Sequence, residues 1–184
     1  PAKKVSVPMM YRQSKVGYRS AADVDVLELG YAGKRLSMVV LLPKKVDGLA
    51  ALEKSLTAKG LKELTSNIPK TKVSVFLPRF KLQSRFDLKK ALMSMGMRRA
   101  FDDRADFRGM EPKRLLKISK VIHQANCDVA EEGTVAAAAT AVIMKLRGAA
   151  GPRIPTFRAD HPFMFLIRDV KTGVVLFLGR LVKP

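Results

Sequence analysis

The sequence predicts a mixed α+β fold, and three observations carry that expectation. Several segments alternate apolar and polar side chains at the period of a strand, as at Val5, Val7 and Met9 or at Val73, Val75 and Leu77. Between such segments stand short helical stretches, each preceded by an Asp or Thr suited to the N-cap position. No internal repeat or low-complexity linker divides the 184 residues, a length that suits one domain burying roughly two-thirds of its unfolded surface.

Taken in order, Pro1–Tyr18 reads as extended up to the break at Gly17. Val24–Leu29 and Leu36–Leu42 form a hairpin joined by Gly30-Tyr31-Ala32-Gly33-Lys34. The second of these strands is nearly all apolar, which predicts cover on both faces, and Pro43 stops it. Asp47 is expected to cap a helix over Gly48–Lys54, and Thr57 one over Ala58–Ser66, before Pro69 interrupts. Lys72–Phe80 reads as a strand. Asp87 then caps a helix with Leu88, Ala91, Leu92 and Met95 on one face, closed by Gly96. Phe101–Pro112 is a charged, irregular connector. Leu115–Ala130 holds no proline or glycine and reads as one long strand. Glycines and prolines at 148, 151, 152 and 155 mark an exposed loop. Phe163–Ile167 and Val174–Leu178 close the chain as a buried hairpin around Asp169-Val170-Lys171-Thr172-Gly173.

Charge is the unusual bulk property. A formal +19 attracts polyanions such as nucleic acid, sulfated sugar or acidic lipid. The basic residues are spread along the chain, and the plain alternative is a solvated basic face. With three tyrosines, no tryptophan and no aromatic interleaving, the pattern argues against base stacking, and the polyanion partner the charge would take is heparin-like or nucleic acid. No apolar run approaches the 18 or so residues of a membrane span, so no membrane is implied, and no signal peptide is recognisable after Pro1. The opening residue is not methionine, which fits processing or a longer parent.

The sequence offers no catalytic constellation. The single cysteine, Cys127, excludes an internal disulfide. His123 and Cys127 have the spacing of half a zinc site, but no second pair of ligands exists, so neither metal nor cofactor is expected. His161 reads as a packing residue. No nucleophile, base and acid converge, and an enzyme is not expected.

Glu131–Gly148 stands apart from all of this. Two acids and a glycine lead into very small side chains and then a bulkier basic tip. Local propensity makes it a helix capped by Thr134 and ended by Gly148. The other reading is a strand in waiting, with Thr134, Ala136, Ala138, Thr140 and Val142 on one face and none of them long or charged.

The flanks bear on that choice. Glu131-Glu132-Gly133-Thr134 followed by alanines resembles the reactive-loop hinge of serpins, the serine protease inhibitor family. Phe157-Arg158-Ala159-Asp160-His161-Pro162-Phe163 is similar to the segment after that loop. Thr172-Gly173-Val174-Val175-Leu176-Phe177-Leu178-Gly179-Arg180 resembles the family's last strand, and Lys183-Pro184 its ending. Ile118-Ser119-Lys120-Val121-Ile122-His123-Gln124-Ala125 is similar to the strand feeding the hinge, and Val7-Pro8-Met9-Met10 and Leu77-Pro78-Arg79-Phe80 match as well. The motifs run the length of the chain in family order.

The resemblance implies a serpin-like multi-sheet α+β fold in which residues 1–184 are the C-terminal part of one serpin domain, with a reactive loop over about 131–156. It implies a suicide-substrate inhibitor, with Glu131, Glu132, Gly133, Thr134, Ala136, Ala137, Ala138 and Ala139 as the loop hinge. The family's spacing places the reactive bond at Arg147–Gly148, with Lys145 and Arg153 as alternatives, all basic and all suited to a trypsin-like serine protease. His123 corresponds to a sheet-closing histidine whose partner lies in a part of the fold not represented here. The family's helical N-terminal half is missing from the matched motifs, so a complementary half is an implied partner and the chain alone is not expected to trap a protease. The resemblance also suggests an extracellular setting. The alternatives are a non-inhibitory serpin relative and a basic polyanion-binding protein.

Overall fold

A computed structural model describes residues 5–113, 116–131 and 153–183. Among them are nine strands: β1 (Met9–Ser20), β2 (Val24–Gly30), β3 (Leu36–Pro43), β4 (Lys70–Pro78), β5 (Phe80–Asp87), β6 (Ile122–Val129), β7 (Thr156–Arg158), β8 (Phe163–Asp169) and β9 (Val175–Leu181). Three short helices accompany them: α1 (Leu49–Ser55), α2 (Ala58–Thr65) and α3 (Lys89–Ser94). The chain divides into two compact units, Pro1–Phe80 with Val129–Pro184, and Lys81–Asp128.

The first unit is built on one seven-stranded sheet in the order β7-β4-β1-β2-β3-β8-β9. Every pairing is antiparallel except β4 with β7. β3 lies between β2 and β8, and every residue from Ser37 to Pro43 is buried, as its apolar run predicts. Alternation decides which way each side chain faces. Val39 and Leu41 join Val26 and Leu166 beneath α1 and α2, where Leu52, Leu56, Leu61 and Leu64 close the layer. On β8 the intervening positions turn to the other side, and there Phe163 and Phe165 meet the ring of Phe80 at 5.9 and 5.4 Å. Burying each such aliphatic side chain stabilises by about 1.5–3 kcal/mol, so β2, β3 and β8 form the anchor of the unit.

The helix ends show which caps the sequence revealed. Thr57 Oγ1 accepts from Gly60 N at 3.0 Å, as expected. At the other end of α2 the Arg19 guanidinium donates to the carbonyls of Glu63, Leu64, Ser66 and Asn67 at 2.8–3.0 Å, occupying oxygens that a helix end leaves without partners. Asp47, by contrast, is not a cap. Gly48, which has no side chain to cap with, holds the N-cap position of α1 in a helical conformation, and its N–H closes a turn onto Lys45 O.

The second unit departs furthest from expectation. β5 and β6 pair into a two-stranded sheet, and the sequence reading did not separate β5 from its neighbours. The expected strand over Leu115–Ala130 is regular only from Ile122 to Val129. The Asp87 carboxylate does accept from Lys89 N at 3.0 Å, but α3 is six residues long and none of them is buried. Met95, expected on its core face, is 82% exposed. A two-stranded sheet is too small a surface to cover a helix face. His123 is exposed on β6, so the burial that would have made an unpartnered imidazole costly does not arise.

β9 supplies one more correction. It pairs with β8 as the predicted hairpin, yet Val175, Leu176, Phe177 and Leu178 are exposed. As the last strand in the row it has one neighbour and no layer over it among the described residues.

Candidate functional site: the anchors of the 132–152 connection

Both ends of the 132–152 connection are tied to one segment, Glu131 to Arg79 just after β4 and Pro155 to Ser74 within it. At the upstream end, Glu131 Oε1 accepts from Arg79 Nε at 2.9 Å and from Arg79 Nη2 at 2.6 Å. Arg79 directly follows β4, in the corner Leu77-Pro78-Arg79-Phe80, whose proline ends the strand and whose phenylalanine is buried. The bonded guanidinium holds the Glu131 carboxyl below its ordinary range. The pair is partly exposed, with side chains 57% and 39% accessible, so solvent screens it and its direct contribution to stability is small.

The downstream end is fixed by packing and ladder bonds. Ser74 N donates to Pro155 O at 3.0 Å, and β7 then runs parallel to β4 with Ser74, Val75 and Phe76 opposite Thr156, Phe157 and Arg158. Phe157 is 1% exposed and meets the Tyr18 ring edge-on at 6.5 Å. Ala159 N donates to Phe76 O at 2.9 Å. His161 then ties the chain to the end of β3, with Nε2 2.6 Å from Pro43 O and Nδ1 2.9 Å from Asp160. This agrees with its reading as a packing residue.

Of the residues singled out by sequence, Glu131 and Arg153 flank the connection and are described. Arg153 is exposed. Glu132, Gly133, Thr134, Ala136, Ala137, Ala138, Ala139, Lys145, Arg147 and Gly148 lie outside the described residues. His123 belongs to the other compact unit. Arg79, Ser74 and Phe157 carry no sequence signal of their own for this role, since nothing in a linear pattern pairs Arg79 with an acid 52 positions away. Among the described residues no group of three His, Cys, Asp or Glu could hold a metal ion.

Residues 1–184 match the model of the serpin (serine protease inhibitor) family from end to end. The chain belongs to the serpin family. Human Serpin B8 is 45% identical over 186 residues, an alignment that covers 98% of this chain and 49% of that protein. Intracellular coagulation inhibitor 2 of Tachypleus tridentatus is 40% identical over 178 residues, covering 97% and 43%. The crystal structure of uncleaved ovalbumin superposes with a TM-score of 0.79 at 36% identity, over 97% of this chain and 44% of that one. The fold is therefore the α+β fold of a serpin, and the chain spans about half the length of the curated relatives it matches. One of those relatives is intracellular by name, so membership alone does not carry the extracellular expectation.

Proposed function

We propose that this chain supplies the reactive-loop half of a serpin that inhibits trypsin-like serine proteases, with the loop over about residues 131–156. The observation that carries the reading is the common anchorage on β4 and the residue directly after it. Arg79 and Ser74 are five positions apart along this segment, roughly 17 Å, while residues 132–152 have a contour of roughly 70 Å when extended. Most connections within a compact fold are far shorter, and function is one of the usual reasons for a long one.

The chemistry is that of a substrate held too long. A protease serine attacks the carbonyl of Arg147, the bond to the Gly148 nitrogen breaks, and Arg147 remains as an ester on the enzyme. Lys145 and Arg153 stand as alternative acyl donors. Insertion of the freed upstream strand into a sheet is the serpin family's known device. A dozen or so residues gaining about 1 kcal/mol each on insertion would release on the order of 10 kcal/mol, comparable to the stability of a whole domain. Thr134 and Ala136–Ala139 suit that step because no bulk or charge has to be buried. Completion requires the sheet strands that a full-length relative carries, so the 184 residues alone act as substrate rather than trap.

Brief digestion with trypsin, followed by intact-mass analysis, tests this. The first cut is expected after Arg147, with no covalent complex on a denaturing gel. A first cut outside 145–153 overturns the placement of the loop, and a gel-stable complex overturns the need for a second half.

A second reading rests on charge. The formal +19 favours a polyanion-binding role, heparin-like or nucleic acid, that is independent of protease trapping.

A further inference from the structure

One face of β1, β4 and β7 assembles residues that the inhibitor reading does not use. The ladder sets Tyr11 opposite Phe76, Gln13 opposite Ser74, Lys15 opposite Lys72 and Gly17 opposite Lys70. β7 adds Arg158 beside Phe76. Side-chain contacts place these on one face: the Tyr11 and Phe76 rings are 4.8 Å apart, Gln13 Nε2 donates to Ser74 Oγ at 3.1 Å, and the Arg158 guanidinium lies 5.0 Å from the Phe76 ring centre.

Two features thus share roughly 20 Å of strand. At one end is a stack of guanidinium, phenyl and phenol, with Tyr11 46% exposed. At the other, Lys15, Lys70 and Lys72 are exposed, and among the described residues none of them is in an ion pair. Lys15 and Lys72 face each other directly across the ladder, an arrangement that repels. The neighbouring acids are engaged elsewhere. Asp160 is within 3.3 Å of Arg158 and bonded to His161, while Glu28 accepts from Arg168 and Ser37.

We propose that this face binds single-stranded nucleic acid, with a base stacked on Tyr11 and phosphates along Lys15, Lys72 and Lys70. Cations that follow a backbone beside an open aromatic ring are the combination that single strands require. A sulfated polysaccharide would use the lysines but leave the aromatic end idle. The proposal rests on the charge-led reading above and is independent of protease inhibition.

The test is fluorescence anisotropy of a fluorescein-labelled oligothymidylate with the full chain, titrated over a range of salt, with circular dichroism confirming that each variant is folded. Tyr11→Ala is expected to weaken binding about tenfold, whereas Tyr11→Phe retains it. Lys15→Gln with Lys72→Gln is expected to lower the slope of log K against log salt by about 1.4, or 0.7 for each lost phosphate contact. If Tyr11→Ala binds like the parent while the lysine pair weakens the oligonucleotide and a heparin fragment equally, the face is a charge-only site and the nucleic-acid assignment is overturned. Unchanged binding by the lysine variant overturns this face and leaves the charge-led reading standing. No binding by the parent chain at low salt overturns both.

Discussion

β8 and β9 lie side by side in one sheet, and their sequences look interchangeable. Phe163-Met164-Phe165-Leu166 begins one, Val175-Leu176-Phe177-Leu178 the other. Yet Phe165 is 3% exposed and Phe177 47%. The difference is one of position in the row. β8 has a strand on each side, α1 and α2 over one face, and the Phe80 ring against the other. β9 has β8 alone. Apolar composition therefore reports what a strand is able to bury, and its neighbours determine what is buried. Among the described residues nothing covers the exposed side chains of β9.

The largest expected effect separates the two strands directly. Phe165→Ala should cost about 3–5 kcal/mol, because the ring fills a closed space between Phe80 and the backbone at Gly179. Phe177→Ala should stay within about 0.5 kcal/mol. Urea denaturation of both variants against the parent measures the gap. Equal losses would mean that β9 is covered in solution, by a second copy or by another segment.

A middle-sized effect comes from the ion pairs on the same two strands. Arg168 Nη2 donates to Glu28 Oε1 at 2.6 Å, with side chains only 13% and 19% accessible, and Ser37 Oγ donates to the same oxygen at 2.8 Å. Glu28→Ala leaves both donors short of an acceptor and should cost roughly 1–3 kcal/mol. On β9, Arg180 reaches Glu53 at 3.0 Å, but the pair is 59% and 30% accessible and solvent screens it. Arg180→Gln should cost less than about 1 kcal/mol. If the costs came out reversed, accessibility would not be what distinguishes the strands.

What the sequence disclosed follows the range of each cause. β3 was legible because a nearly all-apolar run, Met38 to Leu42 without a break, states its own burial, and the Thr57 cap because it acts three positions away. The family was legible because its motifs are short and ordered. β5 was not, since after Pro78-Arg79 its alternation merges with the approach to a helix. Nor was the end of α2, where Arg19 acts across more than 40 positions, or the meeting of Tyr11 with Phe76, which exists only in the register of β1 on β4. That last case reverses an argument made from composition. Aromatic residues scattered along a basic sequence need not be scattered in space. The hinge beyond Glu131 and the reactive bond lie within 132–152, outside the described residues, and both stand as proposals.

The turn between the two strands carries the effect most sensitive to acid. Asp169 ends β8 and is 6% exposed. One carboxylate oxygen accepts from Arg35 Nε at 2.9 Å, and the other accepts from the backbone N–H of Lys171 and Thr172, each at 2.9 Å. The Arg35 hydrogen bond, followed by that from Thr172 N, lowers the carboxyl from an ordinary 3.8 to about 2. A carboxyl that is more acidic folded than unfolded adds stability above its unfolded value, and that stability disappears as pH falls from about 4 towards about 2. Asp169→Asn preserves the shape of the turn and removes the proton-binding group. Urea midpoints measured from pH 5 to pH 2 should fall more steeply for the parent than for the variant, with the two curves converging at the acid end. Parallel curves would mean that the turn exchanges no protons on unfolding. The buried strand and the exposed strand would then be joined by a turn whose order owes nothing to the Asp169 charge.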